Sequence, residues 1–205
     1  MRYRLRGVNK CNNGWIDFFC SSNDFDCNNF TLKDFTLQNS NNAAGIDIDF
    51  SGLFVLSNVK VSSCDQFGIR ILRSKNFLLE DCESSSNTDS GYRIYGDSTR
   101  STLNFVLNNC DATSNTTEGF NIASATNTLA YFSVINCRAI NNTGDGYDVT
   151  SAGASAIDGT FLSCLAYGSG GIGFDVSVLS QRVNFISCFA ENNTGDGFEI
   201  ASSFS

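Results

Sequence analysis

The chain has 205 residues, a net charge of −8 and an isoelectric point near 4.4, values typical of a single acidic soluble domain. Its 13 Lys and Arg against 21 Asp and Glu provide no basic footprint for a nucleic acid, and no run of about 20 apolar residues could cross a membrane. The absence of histidine excludes Ser–His–Asp and Cys–His nucleophiles, His-ligated zinc and an imidazole general base.

The N-terminal residues 1–29 are the least regular part of the sequence. The basic start is not followed by an apolar stretch, so we expect no secretory signal in this chain. The segment holds one hydrophobic run, Trp15–Phe19, and three cysteines whose spacing does not require pairing: Cys11, Cys20 and Cys27. We predict an irregular N-terminal coil or cap over 1–29.

Residues 30–205 contain a repeated phrase of the form Phe-x-Leu-x-Asn-Cys-x-Ala, followed by a polar stretch and by Gly-Phe-x-Ile. An anchor column recurs every 23 to 28 residues, at Phe35, Val59, Cys82, Cys110, Cys137, Cys164 and Cys188. A glycine column follows it, at Gly45, Gly68, Gly91, Gly119, Gly146, Gly173 and Gly197. A repeat of this length indicates a solenoid, in which stacked coils bury a continuous core.

One repeat predicts three short strands. Phe105 and Leu107 alternate inward, and Cys110 must also point inward, so Asn109 must turn a corner between them. Asn, Asp and Ser tolerate the left-handed conformation that a tight corner needs, or bond locally within it, and they fill this position in every repeat. Gly119 should permit a second bend before the Gly-Phe-x-Ile strand. The corner column is Asp34, Asn58, Asp81, Asn109, Asn136, Ser163 and Ser187.

This pattern resembles the right-handed parallel β-helix repeats of the pectate-lyase-like superfamily. The resemblance implies an all-β, single-stranded right-handed parallel β-helix of about seven to eight coils. In the family's terms, Gly-Phe-x-Ile forms the first sheet, Phe-x-Leu the second and Cys-x-Ala the third. The coil is shared by lyases, glycosidases, epimerases, tailspikes and passive appendages, so it specifies fold rather than activity. Active members usually carry their site on the first sheet and its flanking loops.

The ladder cysteines, from Cys82 to Cys188, should stack at the inter-strand spacing of about 4.8 Å with parallel side chains. That geometry does not suit a disulfide, so we interpret them as small apolar residues in the core.

The outward position of Gly-Phe-x-Ile forms a column of polar residues, called here the first-sheet column. Three consecutive acids in it are the catalytic candidates: Asp148, Asp175 and Glu199. Their spacing suits the two carboxylates of a glycosidase. The substrate-binding candidates are Arg70, Arg93 and Asn121, because two arginines could hold an acidic sugar or stabilise developing negative charge. The full column is Asp47, Arg70, Arg93, Asn121, Asp148, Asp175 and Glu199.

Ca²⁺ is the candidate cofactor, because it would compensate adjacent carboxylates and takes six to eight oxygen ligands. The candidate ligands are Asp145, Asp148, Asp175 and Asp196. Two alternatives remain open. The column is also consistent with a solvated acidic face, and the Asn-Asn-Thr-Gly-Asp-Gly loops that hold Asp145 and Asp196 are also consistent with ordinary turns.

The resemblance implies an extracellular or virion-associated protein that binds polysaccharide along its first sheet, with glycosidase-type or lyase-type cleavage as a further step. Neither the Gly-His-Gly pattern of polygalacturonases nor the histidine of the alginate epimerase signature exists in this chain. The alternative is a non-catalytic structural segment of a fibre, spike or capsid-associated assembly. No capping helix follows Ile200, so we expect the solenoid ends to contact other copies or a parent assembly.

Overall fold

The computed structural model describes residues 4–6, 11–12, 15–19, 27–98, 101–125, 129–151, 156–177 and 180–201. Within these ranges the regular structure is entirely β-strand. No helix in the described part of the chain is long and apolar enough to cross a membrane.

The described strands form two sheets. The first sheet has nine strands: β1 (Arg4–Arg6), β3 (Trp15–Phe19), β5 (Ile46–Asp49), β7 (Ile69–Leu72), β10 (Tyr92–Gly96), β13 (Phe120–Ser124), β16 (Tyr147–Ser151), β19 (Phe174–Ser177) and β22 (Phe198–Ala201). The other thirteen form one sheet bent at a corner: β2 (Cys11–Asn12), β4 (Cys27–Gln38), β6 (Ser51–Ser62), β8 (Lys75–Glu80), β9 (Glu83–Ser85), β11 (Thr102–Asn108), β12 (Asp111–Thr113), β14 (Leu129–Ile135), β15 (Arg138–Ile140), β17 (Ala156–Leu162), β18 (Leu165–Tyr167), β20 (Ser180–Ile186) and β21 (Phe189–Glu191).

Each strand pairs with its equivalent in the next coil, in parallel, except that β1 and β3 are antiparallel. The result is a parallel β-solenoid of about six turns, slightly fewer than the predicted seven to eight. The predicted second and third sheets are the two halves of the thirteen-stranded sheet. They are joined because β4 and β6 run continuously through the corner.

The predicted corner column is confirmed by the backbone. Every member, from Asp34 to Ser187, has a positive φ between 51° and 58°. Neighbouring corner side chains also bond along the stack: Asn58 Nδ2 donates to Asp34 Oδ1 at 2.9 Å, and Asn109 Nδ2 donates to Asp81 Oδ1 at 2.6 Å. Two pairs of neighbouring corner side chains are therefore bonded to each other on the outside of the coil.

The chain bends at each glycine of the glycine column, as predicted, although none of these glycines has a positive φ. A further left-handed corner comes earlier, at residues such as Ser114 and Asn141, whose φ values are 57° and 54°. The glycines also permit close packing between coils. A Cβ on Gly119 would lie 2.7 Å from the Gly146 carbonyl oxygen and 2.9 Å from the Ala139 Cβ.

The core consists of ladders of like residues. Rings stack nearly parallel from Phe30 through Phe54, Phe77 and Phe105 to Phe132, with centroids about 5 Å apart. A second ladder on the first sheet runs through Tyr92, Phe120, Tyr147, Phe174 and Phe198.

The first phenylalanine ladder ends at Gly159. A Cβ there would lie 2.2 Å from the Phe132 ring, so only glycine leaves room for that ring. A new stack begins two residues after Gly159 in β17, where the ring of Phe161 stacks on the ring of Phe185. The core is thus refilled by aromatic rings from a different position of the repeat.

The ladder cysteines carry free thiols, as predicted, and Cys64 is a further free buried thiol. Cys188, in the last coil, is only half-buried, although the ladder cysteines were expected to lie in the core, and Phe35 in β4 is half-buried too. The side chains of Cys11, Cys20 and Cys27 lie outside the described residues. So does most of the segment 1–29, whose interpretation as an irregular coil or cap stays a prediction.

Candidate functional site

The first-sheet column lies in register, as the repeat predicts. Asp47, Arg70 and Arg93 pair in consecutive strands, and Asn121, Asp148, Asp175 and Glu199 continue the series. From Asp47 to Asp175 the residues on either side of each member are buried in the core, so the column lies on the opposite, outer face of the sheet. Neighbours in such a column are about 4.8 Å apart.

Arg70 is engaged by the coil before it. Its guanidinium donates to both carboxylate oxygens of Asp47, with Nε 3.0 Å from Oδ1, and the pair is part-buried. A bidentate arginine–carboxylate pair is among the stronger polar contacts in proteins. The structure therefore uses Arg70 to compensate Asp47, and a substrate anion would compete with that carboxylate.

Arg93 begins a continuous hydrogen-bonded row of three side chains. Its Nη1 donates to Asn121 Oδ1 at 2.9 Å, and Asn121 Nδ2 donates to Asp148 Oδ2 at 2.8 Å. The Arg93 guanidinium also lies 4.9 Å from the centre of the Tyr95 ring. Three coils thus hold a cation, an amide and a carboxyl in one fixed line, which we call the Arg93–Asp148 row.

The two oxygens of Asp148 differ. Oδ2 accepts the Asn121 bond, whereas Oδ1 is buried with no hydrogen-bond partner among the described residues. Burial, followed by the negative charges of Glu118, Asp175 and Asp145, raises the pKa of Asp148 to about 7, although Arg93 acts in the opposite direction. A carboxyl with a pKa near neutrality can both donate and accept a proton at physiological pH.

The other two catalytic candidates have different surroundings. Asp175 pairs with Asp148 in register, is half-buried, and accepts a 2.7 Å bond from the Ser177 hydroxyl at Oδ1. Glu199 is exposed on β22. The structure therefore brings Asp148 and Asp175 together in one part-buried setting and places Glu199 in solvent.

The loop carboxylates show how the Asn-Asn-Thr-Gly-Asp-Gly segments work. Asp145 Oδ1 accepts a 2.6 Å bond from the Ile172 amide of the next coil, and burial raises its pKa. Asn142 points inward, where its Oδ1 accepts a hydrogen bond from the backbone N–H of Asn115 at 3.0 Å. Asp196 is exposed in the last coil. Within the described ranges, no three Asp, Glu, Cys or His side chains are grouped to hold a metal.

Sequence reasoning missed Glu118, whose charge is the largest electrostatic influence on Asp148. Glu118 immediately precedes Gly119, and Asp145 and Asp196 occupy the same position in their own repeats. Aligning the residue before each glycine would have found it. Phe67 occupies this position too, and its ring lies 5.8 Å from the guanidinium groups of both Arg70 and Arg93.

The stacked parallel coils and the outward polar column define a protein of the parallel β-helix class. The chain belongs to the right handed beta helix region family, whose profile matches residues 8–162. The predicted right-handed parallel β-helix is thus confirmed.

A solved structure with this fold is a double mutant of the periplasmic alginate epimerase AlgG. It superposes with a TM-score of 0.53 and 17% sequence identity, over 86% of this chain and 47% of that one. The chain therefore spans about half the length of that epimerase, and the likeness shows the fold alone. No curated protein sequence matches this chain.

Proposed function

We propose that the protein binds polysaccharide along the outer face of the first sheet, centred on the Arg93–Asp148 row. The single observation that carries the proposal is this row, in which a cation, an amide and a carboxyl are fixed across three coils. Regularly spaced donors and acceptors on a rigid surface suit a polymer whose hydroxyl groups also recur at regular intervals.

The fold of a polysaccharide-acting protein supports this proposal, because AlgG, an alginate epimerase, shares it. The epimerase reaction is not part of the proposal, since the histidine of the alginate epimerase signature has no counterpart in this chain. An extracellular or virion-associated setting is part of it, since polysaccharide is the ligand.

Cleavage of the bound chain is the second step of the proposal, with Asp148 as general acid and base. Its part-buried carboxyl has one oxygen fixed by Asn121 and the other buried without a partner among the described residues, so a glycosidic oxygen or a ring proton would reach it only once the covering groups move. Asp175, one strand away, is the second carboxylate of a glycosidase-type mechanism, and Arg93 would stabilise developing negative charge in a lyase-type mechanism. Glu199 and Arg70 would contact sugars on either side, and the buried Asn121 would hold Arg93 and Asp148 in position.

A glycan array followed by a reducing-end release assay tests both steps, run with and without Ca²⁺. Arg93→Gln should abolish array binding, and Asp148→Asn should abolish release while preserving binding. Arg138→Gln is the matched control, because Arg138, like Arg93, is bonded to a polar side chain in a neighbouring strand, here Asp111, but lies on the third sheet. Ultraviolet absorbance of an unsaturated product would separate a lyase from a hydrolase.

The structural role in a fibre, spike or capsid-associated assembly is the second candidate. It is favoured by apolar side chains exposed on the last described coil, which a neighbouring molecule could cover: Ile186, Phe189, Phe198 and Ile200. If the protein neither binds a glycan on the array nor releases reducing ends, polysaccharide recognition by the first sheet is rejected and this role is favoured.

A further inference from the structure

An open, concave surface lies on the outer face of the second sheet, away from the first-sheet column. Its volume is about 460 Å³, and it extends across strands β11, β14, β17 and β20. Its accessible lining is one aromatic ring and one valine surrounded by amide, hydroxyl and carboxylate groups, from Tyr131, Val106, Asn104, Ser133, Thr160, Asn184 and Asp158.

Tyr131 is held in an unfavourable backbone conformation. Its φ is 59°, in the left-handed region that is uncommon for bulky residues, and 62% of its surface is exposed. Asn29, Asn76 and Asn104 occupy the same position in other coils with similar φ values, and asparagine adopts this conformation at low cost. Asn104 Nδ2 also donates to Asn76 Oδ1 at 3.1 Å. An asparagine at position 131 would suit the fold better than the tyrosine does.

Strained backbone and exposed aromatic surface both cost stability, and such costs concentrate at functional sites. The strain at Tyr131 presents the ring beside the concave surface rather than burying it in the core. No packing gain in the described core explains it, because the core ladder at this level is filled by Phe132.

The lining specifies the class of ligand. An aromatic ring offers an apolar face for the C–H groups of a sugar ring, and Ser133, Thr160 and Asn184 offer hydroxyl and amide partners to its hydroxyl groups. The carboxylate of Asp158 is ion-paired with Arg182 in the adjacent strand, so its charge is compensated within the protein. An uncharged, hydroxyl-rich ring is the complement of this surface.

We propose that the groove around Tyr131 on the second sheet binds a neutral oligosaccharide. This site is separate from the first-sheet column and does not depend on the function proposed for it. Ligand binding would use Tyr131 as the stacking platform and the neighbouring hydroxyl and amide groups to fix the orientation of the sugar.

Isothermal titration with maltohexaose, cellohexaose, xylohexaose and mannohexaose tests the proposal, with an oligogalacturonate as the acidic comparison. At least one neutral hexasaccharide should bind the wild-type protein with a dissociation constant below about 1 mM. Tyr131→Asn should weaken that binding at least about tenfold while raising the melting temperature, since it relieves the strained backbone and extends the asparagine ladder. Tyr131→Phe should keep most of the affinity.

Leu53→Asn is the matched control. Leu53 lies in the same column with a φ of 52° and 54% exposure, three coils from Tyr131. It should likewise gain stability but leave neutral-sugar binding unchanged. The proposal is overturned if none of the four neutral hexasaccharides binds, or if Tyr131→Asn melts at or above the wild-type temperature and binds as well as wild type.

Discussion

The Asp148 carboxyl is polarised by its position between two coils. One oxygen is tied to Asn121, and the other is buried without a partner among the described residues, with Glu118, Asp145 and Asp175 as negative neighbours. Burial and these charges disfavour the ionised form and raise the pKa of Asp148 to about 7. In the folded protein this carboxyl is therefore mostly protonated below about pH 7.

Asp148→Asn should therefore stabilise the protein in a pH-dependent way. The ordinary pKa is 3.8, so between about pH 4 and 7 the folded state binds more protons than the unfolded state, and stability falls as the pH rises. The asparagine variant lacks this loss and can still accept the Asn121 bond. Its gain should be near zero at pH 4 and a few kcal/mol at most at pH 8, since one pKa unit is about 1.4 kcal/mol. Urea unfolding of both proteins across this range measures it, and a gain independent of pH would contradict the assignment.

The corner residue Asn109 combines a left-handed φ of 52° with a hydrogen bond to Asp81. Asn109→Ala should cost about 1–2 kcal/mol, because alanine is strained in this conformation and makes no side-chain bond. Asn109→Gly removes the bond but accepts the backbone, so it should cost less than alanine. Chemical denaturation of the three proteins gives the order, and equal losses for both variants would show that the backbone conformation does not matter.

At the scale of the strand and its turns, the two bends of the coil differ in how far sequence specifies them. The first was predicted because Asn, Asp or Ser recurs at one position and these residues favour corners for local reasons. The bend at the glycine column was also predicted, but the close approach of two chains at the same place was not, because a recurring glycine is compatible with a bend alone. Only the neighbouring coil, which places the Gly146 carbonyl against Gly119, shows that contact.

The same limit applied to the candidate site. The first-sheet column followed from periodicity, so its register could be predicted from sequence. The pairing of Asp47 with Arg70 and the influence of Glu118 on Asp148 depend on side-chain directions and burial, which a repeat pattern does not contain. The role of Tyr131 was not predicted for another reason. Its position in the repeat is filled by asparagine in several coils, and asparagine at a recurring position is typical of a turn.

Gly119→Ala should destabilise the stack by about 1–3 kcal/mol, the usual cost of overpacking, because the added Cβ meets backbone of the next coil at 2.7 Å. Gly197→Ala is the matched change in the last coil, where the nearest atom is the Ala190 Cβ at 3.3 Å, and it should cost much less. Thermal melting compares the two. Similar losses would mean that the glycines are needed for backbone conformation rather than for spacing.

At the scale of the whole molecule, stability depends on each coil being covered on both sides. Side chains of β13 are buried throughout, whereas those of β22 are exposed. Amide hydrogen exchange should therefore be slowest in the coils around β13 and fastest in β22, since solenoid stability is a sum of neighbour contacts. Mass-spectrometric exchange would resolve the gradient, and uniform protection would show that the stack unfolds as one unit.

The end of the phenylalanine ladder at Gly159 limits how such a protein can change length in evolution. Before this point each coil places a phenylalanine beneath a phenylalanine, so duplication or loss of one coil would restore the same contact. Across the boundary the coils are not interchangeable, because the Phe132 ring occupies the space that a Cβ at position 159 would take. If the coil containing Gly159 were lost, the next strand would bring Val183, a β-branched residue, under that ring. Tandem duplication could therefore lengthen either block of coils but could not move the junction between them.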